Sequence, residues 1–507
     1  MYASVRSTKL AGSVPIPGSK SHTIRALLIA ALADGTSKIT APLHSADTRS
    51  CLEACRALGA EIREEEGDFL VTGTGGKISA PADPIDVGNS GTTLYLTAGI
   101  AALGTEAVTL TGDEQTKKRP IEPLLASLRD LGAEAYSVDG SGFPPVTIKG
   151  PIEGGRTSIE CPTSQYLSSL LLCTPLARGN SEISVPLLHE EPYVEMTLRW
   201  LREQGLSFNR ERFRRFFISG GQEYSAFEKR VPGDFSSATF PLCAAACTGS
   251  QITVTGLDAK DSQGDRAVVS MLEKLGCTVD WADSTVQITG PDREAGKALK
   301  GCEIDMNATP DALPALAVTA CFAEGETRLV NVPQARLKET DRISVIHTEL
   351  EKMGADIMEI EDGLVINGRP QNGKPRGLKP ADFIPEAGLE AVEPEAVVRG
   401  GKRSGMERRR SGEKRGTAVL SERVSPETVS GAAAGTESAP EDGMLPGLKG
   451  TEVNGHNDHR IVMALVVAGL GASGNTTVGT AEAARITYPS FFNALESLGA
   501  EVSLSDR

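Results

Sequence analysis

One pattern is written six times along this chain, and it limits the fold more than any other feature. An apolar run with helical spacing ends in glycine and passes into a short alternating segment. The copies are LEACRALGAEI at 52–62, LLASLRDLGAEAY at 124–136, TLRWLREQGLSF at 197–208, MLEKLGCTVDW at 271–281, ELEKMGADIM at 349–358 and LESLGAEVSL at 495–504. The glycine suits the residue just past a helix, where a positive φ is needed. The alternation after it is that of a half-buried strand. The glycines stand at 59, 132, 205, 276, 354 and 499, giving spacings of 73, 73, 71, 78 and 145. A period this long marks a supersecondary building block rather than a coil or a solenoid turn. Copies spaced this evenly predict a mixed α/β chain built from helix-to-strand units.

The last spacing is about one unit too long, and the surplus is visible. Residues 373–450 are rich in Gly, Pro, Glu, Ser and Arg, with a basic run at 399–415 and a low-complexity stretch at 425–442. Such composition buries too little apolar surface to offset the entropy of ordering. A disordered insertion at 373–450 in the sixth unit is therefore expected, its basic run a solvated loop.

A chain of 507 residues suffices for two or three domains. The net charge of -15 argues against a nucleic-acid partner, although a site within an acidic chain can be locally basic. The nine cysteines form no CxxC pair or Cys/His cluster, and their odd number fits a reducing compartment. With no apolar run of eighteen residues and no signal-peptide core at the start, a cytoplasmic chain without a membrane partner is expected.

Several segments carry more charge or glycine than a core needs. In PGSKSHTIRALL at 17–28, Lys20, Ser21 and Arg25 cluster at a helix start. Cations are unfavourable there, whereas a bound anion would gain from the free N–H groups and the helix dipole. GNSGTT at 88–93 can form a backbone nest around Gly91. KKRP at 117–120 places Arg119 before a helix, and Thr163, Ser164 and Gln165 lead another, with hydroxyls and an amide suited to phosphate. QARLKETDRISV at 334–345 packs Lys338, Glu339, Asp341 and Arg342 together. With Asp311 it offers carboxylates among cations, an arrangement able to divide acid and base roles. In NDHR at 457–460, Asp458 and His459 have no second His or Cys at ligand spacing, so a polar turn is expected rather than a metal site.

PGSKSHTIRALL, GNSGTT, KRP, TSQ, GDFSSATF, PDALPALA, LKETDR, NDHR and ITYP stand in the order seen in the enolpyruvyl transferases. The set resembles the 5-enolpyruvylshikimate-3-phosphate synthase family in particular, over almost everything except 373–450. The resemblance implies an α/β (α+β) fold of two inside-out, barrel-like domains, each of three βαβαββ units, with the active site in the cleft between them. It groups 21–231 as one domain and 1–20 with 232–507 as the second, the chain crossing near Val14–Lys20 and Arg230–Asp234. It implies transfer of enolpyruvyl from phosphoenolpyruvate to the 5-hydroxyl of shikimate 3-phosphate by a monomer, with these two small molecules as its partners and no metal or organic cofactor.

By position in the family's motifs, Ser21 and Arg25 would hold the carboxylate of shikimate 3-phosphate, with Lys20 and Asp311 also in contact with this substrate. Thr163, Ser164 and Lys338 would hold its phosphate, with Gln165, Tyr193 and Gln334 nearby. Lys20, Gly91, Arg119, Gln165, Arg342 and Arg460 would hold phosphoenolpyruvate. Asp311 would take the hydroxyl proton and Glu339 would protonate the methylene carbon, with Lys20 also in the catalytic set. The resemblance further implies inhibition by glyphosate, with Gly91 leaving room beside it.

Three positions depart from the family's pattern: Tyr95 where Arg is frequent, Glu190 where Ser precedes the Pro-Tyr turn, and Ile486, with Arg485 beside it, where Lys is usual. A carboxylate at 190, near the substrate phosphate, is expected to turn away or pair with a cation. Two rivals remain. Enolpyruvyl transfer to a UDP-amino sugar needs a Cys in the loop GDEQTKKRP at 112–120, which has none. A non-catalytic remnant fits the three departures but not the retained charged set.

Overall fold

The computed structural model of the chain describes residues 1–292, 296–368 and 447–506. Six sheets occur among them, one centred on each repeat. The second repeat shows the plan without interruption. Strand Ile85–Asp86 leads through helix Gly91–Ala101 to strand Val108–Thr111, then through helix Glu122–Asp130 to the hairpin Glu134–Ser137 and Val146–Lys149. The first two strands pair in parallel and the hairpin closes antiparallel. Each repeat is thus a βαβαββ unit.

Three sheets borrow a strand from elsewhere in the chain. Strand Glu228–Arg230 supplies the parallel edge beside Thr36–Thr40, and Ala11–Pro15 does the same beside Gln251–Thr255. Strand Tyr2–Arg6 inserts between Asn475–Gly479 and Val502–Ser505. The N-terminal strands therefore belong with the fourth and sixth repeats. Where the chain passes from Pro15 to Lys20 it runs beside 230–234. The Ser19 N–H donates to Pro232 O at 2.8 Å, and the Asp234 N–H donates to Pro17 O at 2.9 Å.

The six repeat glycines have φ between 71° and 107°, as their place after a helix demands. The first helix of each repeat is apolar around its whole circumference, which requires burial on all sides. Helix Phe235–Thr248, with sequence FSSATFPLCAAACT, is buried at every residue. Helix Gly91–Ala101 is buried at all but Thr92. Their Ala, Gly, Ser, Thr and Cys side chains let neighbouring helices approach closely. The second helices, such as Glu191–Glu203, have one buried face.

Two separate cores result. One gathers apolar residues from Ile24 to Val231. The other joins Ala3–Ile16 to residues from Phe235 to Ala500. No helix among the described residues is long and apolar enough to cross a membrane.

The expected insertion at 373–450 lies for the most part outside the described residues, but its last four positions require a correction. Leu448 is buried in the second core. The Lys449 N–H donates to Met353 O at 2.8 Å, and the Gly450 and Ser473 N–H groups donate to Ser473 O and Leu448 O respectively. Residues 447–450 belong to the fold because they carry the chain into strand Glu452–Asn454.

A chain in which 375–443 is replaced by a short Gly/Ser linker should keep its melting temperature within a few degrees, since loop-closure entropy changes slowly with length. Extending the deletion through Leu448 should cost about 2–5 kcal/mol, as for removal of a buried Leu side chain. Thermal melts of the two chains side by side check this, and equal stabilities would contradict it.

Candidate active site

The central helices bring their first turns to one place. Lys20 and Ser21, Gly91 and Thr92, and Ser164 and Gln165 come from the starts of three helices, and His459 from a fourth. Pro310 and Asp311 come from the turn that leads into helix Leu313–Ala320. All line one cavity together with Arg25, Asp47, Arg119, Glu190, Tyr193, Lys338, Glu339 and Arg342. Side-chain caps are local: Asp458 accepts from the Arg460 N–H at 2.9 Å and Asp341 from the Ser344 N–H at 3.1 Å. The remaining free N–H groups and the helix dipoles make the cavity favourable to anions.

Arg342, 1% exposed, is the hub. Its Nη1 donates to Asp311 at 2.8 Å, its Nη2 to Glu339 at 2.5 Å, and its Nε and Nη2 to the two oxygens of Asp458 at 2.8 and 3.2 Å. Arg119 approaches the other oxygen of Glu339 at 2.9 Å, from the side of the first core. This contact is an ion pair without hydrogen-bond alignment, for Arg119 Nε and Nη2 are both buried with no hydrogen-bond partner. Arg460 Nε is in the same condition, while its Nη2 lies 3.5 Å from Asp311. Lys20 pairs with Asp47 at 3.0 Å, and Lys338 pairs with Glu190 at 2.6 Å.

These pairings set the protonation states. Burial by itself would raise Asp311, but Arg460, Lys338, Arg342 and Lys20 outweigh it and hold the carboxyl far below its usual range. Glu339 behaves alike: burial is overcome first by Arg342 and then by Arg119. Both are carboxylates here. Burial lowers Arg25 to about 10 and keeps His459 neutral. Asp265 goes the other way. Burial and the charge of Asp311 push it up to about 6, and Tyr193 Oη donates to it at 2.9 Å.

Of the residues expected from the sequence, Thr163, Gln334 and Arg460 do not line the cavity. Thr163 caps its helix, accepting from the Gln165 N–H at 3.4 Å. Gln334 donates to Asn307 O at 2.9 Å. Arg460 sits behind Asp311, its Nη1 donating to Ser236 O at 3.1 Å. A Cβ at Gly91 would overlap the Arg119 guanidinium, so any other residue there would have to displace that side chain.

The three departures resolve differently. Tyr95 donates to Pro120 O at 3.1 Å, as does Tyr166, so it braces the turn after Arg119 from behind. Glu190 pairs with a cation, and that cation is Lys338. Ile486 packs against the second core, and Arg485 lines a different groove, beside His44 and Pro489.

Asp47, Thr92 and Asp265 were not singled out by sequence reasoning, and Asp458 and His459 were read only as a polar turn. Asp47 reads as an ordinary acidic residue in the first turn of helix Ala46–Ala57. Asp265 sits in a short turn whose only signal was a charge later found buried. A larger hollow, about 720 Å³, is lined by Arg156, Glu182, Arg202 and Phe217. It lacks the buried charges of the cavity, whose interior leaves only about 50 Å³.

The sequence profile described as "EPSP synthase (3-phosphoshikimate 1-carboxyvinyltransferase)" matches residues 5–381 and 431–495. The chain belongs to the EPSP synthase family. It is 43% identical over 503 residues to a 3-phosphoshikimate 1-carboxyvinyltransferase of Acetivibrio thermocellus, covering 99% of each chain. It is 42% identical over 504 residues to one of Ruminiclostridium cellulolyticum, covering 99% of this chain and all of that one. Among solved structures it is similar to an EPSP synthase from Acinetobacter baumannii, with a TM-score of 0.72, 25% identity and full coverage of both chains. The two-domain inside-out α/β fold of EPSP synthases accounts for the six βαβαββ units and the two cores described above. The profile leaves 382–430 unmatched, inside the surplus of the sixth repeat.

Asp265 gives the site a measurable pH signature. Its folded pKa of about 6 lies above its unfolded value, so in the window from about pH 4 to 6 the folded chain binds the extra proton. Its contribution to stability then falls as pH rises. Asp265→Asn should therefore raise the melting temperature at pH 7.5 and leave it nearly unchanged at pH 4.5. Melts at both pH values check this, and a larger loss at pH 7.5 would contradict it.

Proposed function

We propose that this chain transfers the enolpyruvyl group of phosphoenolpyruvate to the 5-hydroxyl of shikimate 3-phosphate, releasing phosphate. The observation that carries this reading is the meeting of two ionised carboxylates, Asp311 and Glu339, on one buried guanidinium, with Arg119 set against Glu339 from the other side and its Nε left without a hydrogen-bond partner. Two substrates bearing several anionic groups need such a set, because Arg forks and Lys point charges recognise carboxylate and phosphate.

In this reading, phosphoenolpyruvate binds through Lys20, Arg119, Arg342 and Arg460, with Gly91 and Gln165 beside it. Shikimate 3-phosphate binds through Ser21, Arg25 and Tyr193 at one end, and through Ser164 and Lys338, supported by Thr163 and Gln334, at its phosphate. Asp311, already ionised, accepts the 5-hydroxyl proton as that oxygen attacks C2 of the enol. Glu339 delivers a proton to the methylene carbon. In the arrangement described above Arg342 and Arg119 hold Glu339 ionised. A substrate carboxylate and phosphate would draw those cations to themselves, and Glu339 would then bind a proton more readily. The tetrahedral intermediate then eliminates phosphate: Glu339, left ionised by the first step, takes a proton back from the new methyl group, the C2–O bond to phosphate breaks and the enol double bond re-forms, while the hydroxyl proton held by Asp311 leaves with the phosphate.

The cavity's 50 Å³ is far below the roughly 300–1,000 Å³ of ligand pockets, so the cleft must open to admit substrates. The hydrogen-bonded crossings at 15–20 and 230–234 are the natural hinge, with 21–231 moving against 1–20 and 232–507. Closure then expels water and strengthens the ionic contacts.

Phosphate release on mixing the protein with both substrates tests the function. Release with a UDP-amino sugar in place of shikimate 3-phosphate, or none with either, would contradict it. Glu339→Gln should bind shikimate 3-phosphate almost normally while losing about 10²–10⁴-fold in kcat, as when a positioned proton donor is removed. Arg119→Ala should chiefly raise KM for phosphoenolpyruvate. Steady-state kinetics separate the two, and near-normal turnover by Glu339→Gln would remove its assigned role.

A further inference from the structure

Glu190 is the residue whose surroundings fit its chemistry least with that reading. It lies at the turn before helix Glu191–Glu203, in the left-handed region at φ 60°, and its side chain is 3% exposed. One carboxylate oxygen accepts from Ser164 Oγ at 2.7 Å and from the Ser164 N–H at 3.2 Å. The other accepts from Lys338 Nζ at 2.6 Å. A helix-start N–H, a hydroxyl and a buried ammonium make up an anion seat, and the anion in it is part of the chain. Ser164 belongs to the side of the first core and Lys338 to that of the second, so the carboxylate also ties the two sides of the cleft together. The neighbouring contacts reinforce the tie. The Glu190 N–H donates to Asn307 Oδ1 at 3.4 Å, and Asn307 Nδ2 lies 2.7 Å from His189 Nδ1.

We infer that Glu190 determines how tightly this enzyme binds its phosphorylated acceptor: its carboxylate occupies the seat of the acceptor's phosphate and is displaced when the phosphate enters. The inference rests on the acceptor reading given above, which assigns Ser164 and Lys338 to that phosphate. The physical ground is exclusion. A carboxylate and a phosphate dianion cannot share three donors in a desolvated pocket, because like charges repel strongly there and each anion needs the donors to offset its lost hydration. Binding therefore exchanges one anion for another, and the net affinity is lower than the same donors would give if they were not already engaged. Phosphoenolpyruvate, held on Arg119, Arg342 and Arg460, does not take part in the exchange. Neither does the carboxylate end of the acceptor on Ser21 and Arg25.

Calorimetric titration of the full chain with shikimate 3-phosphate tests this on the wild type, Glu190→Ser and Glu190→Gln. Gln keeps the size of the side chain and guards against loss of folding in the Ser variant. Both variants should bind at least about tenfold more tightly, the scale of one lost buried repulsion. The affinity for shikimate, which lacks the phosphate, should not improve. KM for phosphoenolpyruvate should stay within about twofold, as expected for a site that keeps its other cations. A wild type that binds and turns over shikimate 3-phosphate, with variants that bind it equally or more weakly, overturns the role of Glu190 and leaves the acceptor reading intact. A wild type that neither binds shikimate 3-phosphate nor releases phosphate overturns both.

Discussion

The first helix of each repeat is buried along nearly its whole length, and a buried helix start leaves N–H groups that need a cap, a ligand or water. Four of these helices, and the turn entering a fifth, open onto one cavity. Their dipoles add to the charges of Lys20, Arg119, Lys338 and Arg342, and this concentration of positive potential organises the site. The carboxylates of Asp47, Glu190, Asp311, Glu339 and Asp458 are held there as counter-ions. An acidic chain thus contains a cleft dense in paired cations and carboxylates, because a net charge is a sum and does not say where the charges stand.

The balance is structural as well as chemical. Removing one partner of a buried ion pair typically costs about 3–5 kcal/mol, since the other charge is left unpaired. Arg342 has three such partners, and they offset its charge although it is only 1% exposed. Donors on Arg119 and Arg460 stay without hydrogen-bond partners, and such incomplete satisfaction is what a site for anionic ligands requires. The chain gives up some stability there, as does Asp265, whose ionised form burial disfavours.

Much of this was legible in the sequence because repeats and charges speak through different signals. The glycine period identified the six units, and the positive φ at all six glycines is the backbone fact behind it. Lys338, Glu339 and Arg342 were conspicuous because opposite charges in one short stretch have no simple core role. What escaped depended on distance in space. Asp47 pairs with Lys20 across 27 positions, and Asp458 pairs with Arg342 across 116. Each looks like a helix cap or a first-turn acid when read locally, and Asp458 does cap its helix. Tyr95 was conspicuous as a departure, yet only the fold shows that it braces Pro120 from outside the cavity. The end of the long surplus was misjudged because Leu448 and Gly450 follow a polar, low-complexity stretch, and three or four residues of packing leave no periodic trace.

A crystal structure of the chain with shikimate 3-phosphate bound tests most directly whether the helix starts and their cations form the substrate site. The account predicts the ligand's phosphate on Ser164 and Lys338, at the first turn of a buried helix, with its carboxylate beside Ser21 and Arg25. A ligand bound in the larger hollow near Arg156 and Arg202, with Ser164 and Lys338 still engaged by Glu190, would contradict it.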